Sequence, residues 1–265
     1  MARATLDTIL AATRVRVAAL QPEAQALARL AQAVPPPRAF ADALRGPSVG
    51  VIAEVKRRSP SAGVIAAELD PVAHATAYAA GGAVAISVLT DEQHFGGTLA
   101  DLRAVAQAVE RPVLRKDFIL DELQLFEARA AGASAVLLIV RALEPGRLAA
   151  LAQTARELGL GTLIEVHTLS ELDPALAAMP TAVGVNSRDL STFRLERAQA
   201  LAILAQVPRG VPAVAESGIE TRADVERYAD AGADLVLVGT AVARADPRHA
   251  VRALAGVARQ AGARP

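Results

Sequence analysis

Of 28 basic residues in this chain only two are lysine, Lys56 and Lys116; the other 26 are arginine. Arginine holds its proton too tightly to donate it near neutral pH, whereas a partly buried lysine can be tuned into an acid, a base or a nucleophile. Both lysines end apolar runs that read as β-strands, VGVIAEVK and RPVLRK. Glu54 stands two residues before Lys56, so strand alternation puts the two on one face. Later apolar runs end in Glu165, in Asn186-Ser187-Arg188, in Glu216-Ser217-Gly218 and in Gly239-Thr240. Carboxylates and ammonium groups gathered at strand ends suit proton transfer; an arginine fork suits a carboxylate. Taken alone, a strand-end Glu or Lys is more often a solvated rim residue or a structural ion pair. Seven such groups (Glu54, Lys56, Lys116, Glu165, Asn186, Arg188 and Glu216), with both lysines among them, favour an active site.

The elements that must carry these groups follow from the apolar pattern. Strand-like runs lie at about 49–55, 83–89, 112–115, 134–140, 161–166, 181–185, 211–215 and 234–239. Helical segments such as PVAHATAYAA, TLADLRAVAQAVE and RADVERYADA alternate with them. This spacing predicts βαβ units, and the near-continuous apolarity of AVLLIV and LVLVG predicts a parallel sheet covered on both faces. Eight units in 265 residues match an α/β fold of the (β/α)8 TIM-barrel type. A doubly wound sheet is the rival, but the first strand's turn, KRRSPSAG, lacks its glycine fingerprint. Residues 4–33 read as two helices broken near Gln21-Pro22, so residues 1–45 form an N-terminal helical extension to a single 1–265 domain. Glycines 82, 132 and 232 precede strands as helix-ending residues, with Ala182 in the corresponding place of another unit.

A barrel places its active site at the strands' C-terminal ends, where the polar groups stand. Ser217-Gly218 and Gly239-Thr240, with a short helix predicted from Thr240, suit a phosphate. The four histidines are His74, His94, His167 and His249. No pair has ligand spacing, so no metal site is expected. His94 and His167 are the two that could line the mouth, though a surface or supporting place suits each better. Phe95, beside Gly96-Gly97, reads as an apolar wall for a substrate ring, with a buried loop anchor as the alternative. The formal net charge is zero, which argues against nucleic-acid binding, and no cysteine is present. No apolar run has membrane-spanning length, and the N-terminus does not read as a signal peptide; a cytoplasmic protein is expected.

In order, IAEVKRRSPSAGVI, SVLTDEQHFGG, LRKDFILDELQLFEARAAGASAVLLI, LIEVHT, VGVNSRDLSTF, AESGI and LVGTAV resemble the indole-3-glycerol phosphate synthase family over residues 50 to about 255. The resemblance implies a phosphorylated small-molecule substrate, 1-(2-carboxyphenylamino)-1-deoxyribulose 5-phosphate, that undergoes ring closure, decarboxylation and dehydration. It implies Lys116 as general acid and Glu165 as general base. Lys56 would bind substrate anions, phosphate included, and assist proton transfer. Glu54 and Asn186 would position substrate hydroxyls and the lysines, and Ser217 joins this catalytic set. Ser59, Phe95, Arg188, Glu216 and Leu237 would bind substrate, with Arg188 on the anthranilate carboxylate. Phe95, Ser59 and the N-terminal segment would cover the ring. Ser217, Gly218, Gly239 and Thr240 would hold the phosphate. No cofactor is implied, and a monomer or weak homodimer is expected. Lys116→Arg should nearly abolish turnover, and Arg57→Lys should do little. A Schiff-base aldolase using either lysine, or a non-catalytic phosphate-binding barrel, would be the alternatives. The two lysines should depress each other's pKa while Glu54 and Glu165 oppose this, a balance the sequence leaves open.

Overall fold

A computed structural model describes residues 5–190, 192–244, 246–260 and 264. Helix α1 (Leu6–Leu20) starts at a capping box between Thr5 and Thr8. It runs into a 3₁₀ turn, Gln21–Glu23, whose Pro22 interrupts the α-helical bonding, and then into α2 (Ala24–Ala33). Eight strands follow: β1 (Gly50–Val55), β2 (Ala85–Leu89), β3 (Val113–Lys116), β4 (Ala135–Ile139), β5 (Gly161–Val166), β6 (Ala182–Asn186), β7 (Ala213–Glu216) and β8 (Leu235–Val238). All pair in parallel with their sequence neighbours, and β8 closes on β1. A (β/α)8 barrel results, as the alternating pattern predicts, with strand boundaries within about two residues of the sequence reading.

Two periodicities divide the core. Outward-facing strand residues such as Val51, Val88, Val136 and Val185 form one buried cluster with the surrounding helices. Inward-facing residues form the other: Ile52, Ala85, Leu114, Ala135, Leu137, Leu163, Ala182, Val214, Leu235 and Leu237. Phe40 and Leu44, from the end of the extension, join this interior cluster, and Phe40 packs against the bare face of Gly161 at the barrel floor. The same inward register that buries Ile52, Leu114, Leu163 and Val214 brings Glu54, Lys116, Glu165 and Glu216 to the mouth two residues later.

Glycines 82, 132 and 232 have φ of 102°, 87° and 99°, the left-handed backbone expected at these helix ends. The unit before β6 departs from the repeat. Its left-handed residue is Met179, with φ of 54°, whereas Ala182 is the buried first residue of the strand. The strand starts three residues after its left-handed residue, as in the other units, so the sequence alignment on Ala182 is out by three residues. The loop predicted around His94 contains one helical turn, Glu92–Phe95, capped by Asp91.

Candidate active site

The strand ends enclose a cavity of about 300 Å³. It is lined by Glu54 and Lys56 of the first unit, Lys116 of β3, Glu165 of β5, Asn186 of β6 and Glu216 of β7. Ser59, Phe95, Arg188, Ser217, Gly218, Leu237, Gly239 and Thr240 also line it, so every residue given a catalytic, substrate-binding or phosphate-binding part from the sequence reaches the same space.

Closure of the sheet makes contacts that no single strand contains. Lys116 Nζ lies 3.4 Å from Glu165 Oε2 and 3.3 Å from Glu216 Oε2. Lys56 Nζ lies 2.8 Å from Glu54 Oε1, the pairing their two-residue spacing predicts. Gly239 makes room for that pair: a Cβ there would stand 2.6 Å from Glu54 Oε1 and 2.8 Å from Lys56 Nζ. Gly184, inward on β6, does the same for Glu216, whose Oε1 occupies the space a Cβ would take.

Burial decides the charge states. On its own burial would lower the Lys116 pKa, but Glu216, Glu165 and Glu54 outweigh it and raise it well above the usual lysine range. The balance left open by the sequence thus falls to the carboxylates at this residue, because three of them surround the ammonium. Glu216 is pushed up to about 8, chiefly by burial and by the Glu165 and Glu54 charges, against the pull of Lys116. Neither of its carboxyl oxygens receives an aligned hydrogen bond from the described residues. Glu165 and Glu54 go the other way. Burial would raise both, but Lys116, His167 and Asn186 hold Glu165 far below the carboxylate range, and Lys56 and Lys116 hold Glu54 low. Two buried carboxyls on one rim are therefore shifted in opposite directions: Glu165 is held down by its cations, and Glu216 is pushed up by burial and the other carboxylates.

The β7 and β8 ends combine a left-handed turn with the start of a short helix. Ser217 and Gly218 are both left-handed, with φ of 69° and 67°. For a serine this conformation costs about 1 kcal/mol and marks a functional turn. Ser187 restrains it by donating its hydroxyl to the carbonyls of Glu216 and Ser217, at 3.1 and 3.0 Å. A short helix, Thr240–Arg244, begins at Thr240 as predicted, so its first N–H groups open toward the cavity.

Asn186 lines the cavity, and its Oδ1 accepts the Arg188 N–H at 3.0 Å. Arg188 Nη1 donates to the Phe193 carbonyl at 2.8 Å, and burial lowers its pKa. It is a half-buried cation aimed at the cavity.

The N-terminal segment contributes no described residue to the cavity lining. Its Ile9 and Leu10 instead share the buried cluster of Phe118, and Arg16 Nη2 reaches Asp117 Oδ1 at 2.7 Å. The extension supports the wall from behind because its apolar face finds partners below the rim. His94 and His167 stay out of the cavity lining, in the supporting places that suited each better. His94 turns back onto its own cap, Asp91, and His167 is buried beside Glu165. Arg57 is not idle. It forks onto Asp101 at 2.6 and 3.1 Å and donates to the Gly96 carbonyl, tying the first loop to the second.

The sequence reading missed Phe118, Leu190 and Phe193, which line the cavity with Phe95. Phe95 and Phe118 face each other with ring centres 6.2 Å apart. Phe118 was within reach, since it stands two residues after Lys116 and so shares its face. Phe193 had no local signal, because a loop with φ of 58° at that residue brings it in.

A (β/α)8 barrel whose mouth gathers opposed carboxyl and ammonium groups beside an aromatic wall has the build of a barrel enzyme. The fold alone is widely shared. 3-Hexulose-6-phosphate synthase from Salmonella typhimurium superposes with a TM-score of 0.61 at 17% identity, covering 78% of this chain and 96% of that one. Thiamine phosphate pyrophosphorylase from Pyrococcus furiosus does so at 0.60 and 19% identity, covering 78% and 93%. The family profile described as indole-3-glycerol phosphate synthase matches residues 6–254. The indole-3-glycerol phosphate synthase of Parafrankia sp. (strain EAN1pec) is 48% identical over 249 residues, 93% of each chain. That of Rhodococcus jostii (strain RHA1) is 48% identical over 263 residues, 98% of this chain and 96% of the other. The chain belongs to the indole-3-glycerol phosphate synthase family.

Proposed function

We propose that this chain converts 1-(2-carboxyphenylamino)-1-deoxyribulose 5-phosphate to indole-3-glycerol phosphate, with Lys116 as the acid and Glu165 as the base. The observation that carries the division of roles is Lys116 Nζ between Glu165 and Glu216, with Glu165 ionised and Lys116 protonated. The aromatic carbon bearing the carboxylate attacks the ribulose carbonyl carbon, and Lys116 delivers a proton to the carbonyl oxygen as charge develops there. The C–CO₂ bond then breaks, its electrons return to the ring, and CO₂ leaves. The new hydroxyl departs as water with a proton from the site, and Glu165 takes the proton lost from the adjacent carbon. The ionised substrate plus one proton equals product plus CO₂ and water: the site gives two protons and regains one, solvent supplies the other, and no oxidant is needed.

Phe95 and Phe118 flank the ring; Ser59 and Leu237 complete its pocket. Arg188 takes the anthranilate carboxylate, for which its planar fork is suited. Ser217, Gly218, Gly239 and Thr240 hold the phosphate with help from Lys56. Glu54 fixes Lys56, while Asn186 positions the substrate hydroxyls and Glu165. Glu216 binds substrate beside Lys116.

A Schiff-base aldolase is disfavoured at Lys116, because a nucleophilic amine must be neutral and three carboxylates oppose this. Borohydride with a keto-sugar phosphate checks it: covalent trapping would favour the aldolase. The direct test is to add the carboxyphenylamino-ribulose phosphate and follow indoleglycerol phosphate by fluorescence. A folded sample that forms no product overturns the reading. The proposal also places the chain in the cytoplasm as one domain, 1–265, acting as a monomer or weak homodimer. Sedimentation would decide the last point. No described helix is long and apolar enough to cross a membrane.

A further inference from the structure

We propose that His167 is a positioning residue for Glu165: a buried cation that keeps this carboxylate ionised and fixed at the cavity wall throughout turnover. The inference rests on reading Glu165 as the base.

His167 lies just past the end of β5, two residues beyond Glu165 and outside the cavity lining. Its Nε2 is 3.3 Å from Glu165 Oε1 and its Nδ1 is 3.6 Å from Glu171 Oε2. Neither ring nitrogen makes an aligned hydrogen bond with the described residues. The contacts are those of a charge held between two carboxylates rather than of a proton relay. The backbone fixes the ring's place: the His167 N–H donates to Glu171 Oε2 at 2.5 Å, and Gln199 Nε2 donates to the His167 carbonyl at 2.8 Å. Arg141 Nε holds the same Glu171 through Oε1 at 3.0 Å, and Arg141 Nη1 reaches Asp189 Oδ2 at 3.2 Å. A buried chain thus runs from the base to the loops after β4 and β6.

The charged groups around this chain define the need. Glu165 is 1% exposed and faces Lys116 of β3, Glu216 of β7, Glu54 of β1 and the amide of Asn186. Burial alone would neutralise Glu165, and a neutral carboxyl is no base. Lys116 opposes this in the resting enzyme. As the proposed acid, however, Lys116 gives up its proton during turnover, and its charge goes with it. A second cation that does not face the substrate keeps its charge at that moment. Only His167 stands on the far side of Glu165 among the described residues. Burial and Arg141 lower its pKa, but Glu165 and Glu171 outweigh them and raise it to about 9, so it is charged at neutral pH.

The test uses the full-length enzyme and the His167→Asn and His167→Gln variants, with kcat/KM followed against pH on the carboxyphenylamino-ribulose phosphate. Both variants should move the acid limb to higher pH by about one unit, the effect of one buried charge. kcat should fall up to about tenfold on the acid side, below the shifted limb, with KM within about twofold, and the lost activity should return at higher pH. A uniform loss with the limb unmoved means a merely structural role and overturns the proposal. If the wild type itself makes no product, the activity reading fails instead. A readout without substrate guards against a variant that does not fold. In wild-type enzyme, ¹⁵N ring resonances of the four histidines report their charge. His167 should be cationic at pH 7 and lose its proton near pH 9; a neutral ring at pH 7 overturns the proposal.

Discussion

The two lysines differ in the company they keep. Lys56 has one carboxylate at contact distance, and Lys116 has two from opposite sides of the barrel. Lys116→Arg preserves the charge and both ion pairs but removes the donatable proton. We expect kcat to fall by roughly 10²–10⁴ with the melting temperature near wild type; a variant with near-normal kcat would remove the acid assignment. Glu216 makes a prediction of its own. Its pKa rises from the ordinary 4.5 to about 8 in the folded chain. Its contribution to stability is therefore fully present below about pH 4.5 and is lost as pH rises through 8. Glu216→Gln removes that loss. Thermal unfolding should show the variant gaining on wild type from pH 5 to pH 9, while turnover falls. His167 has the same sign over a different window: its contribution is full below about pH 6.5 and lost as pH rises through about 9.

Loops and strand ends aim these side chains, and small residues are as decisive there as charged ones. Gly239→Ala would put a methyl group against Lys56 Nζ and Glu54 Oε1. Either the pair or the β8 end must shift, and near-attack geometry tolerates little of this. We expect kcat/KM to drop about 10²-fold while circular dichroism stays that of the barrel. Arg57, which the sequence alone left expendable, clamps the loop carrying Ser59 to the helix Leu99–Ala108 through Asp101. Arg57→Lys cannot reproduce the fork, so a loss of about 1 kcal/mol, a few degrees in Tm, is expected with kcat close to wild type. The extension acts through Arg16 in a comparable way. The guanidinium meets Asp117, which Arg115 and Thr90 also hold, beside the catalytic lysine.

At the scale of the whole barrel, anion binding should be linked to folding. A ligand that binds only the native mouth at 100 times its Kd stabilises by about 2.7 kcal/mol. Inorganic phosphate should therefore raise the wild-type melting temperature, and Gly239→Ala should weaken the effect; equal shifts in both would place the anion elsewhere. Much of this architecture is local enough to read from the chain. Alternation assigned Glu54, Lys56, Lys116, Glu165 and Glu216 to one face because side-chain direction in a strand is set by residue parity. Parallel order set them all at one end, and glycine signalled the left-handed helix ends at 82, 132 and 232. What depended on distance through space was not legible. The left-handed turn fell on Met179 rather than Ala182, at the same three-residue distance from its strand as the glycine turns, and no glycine marked it. Phe193 enters the site by a loop conformation, and Arg16 finds Asp117 about 100 residues away. The sequence by itself determined which groups stand at the mouth. Only closure of the barrel decided that Lys116 lies between Glu165 and Glu216, with His167 behind. Coulomb energies and burial depend on those separations, so the charge states, and with them the division between acid and base, belong to the tertiary structure.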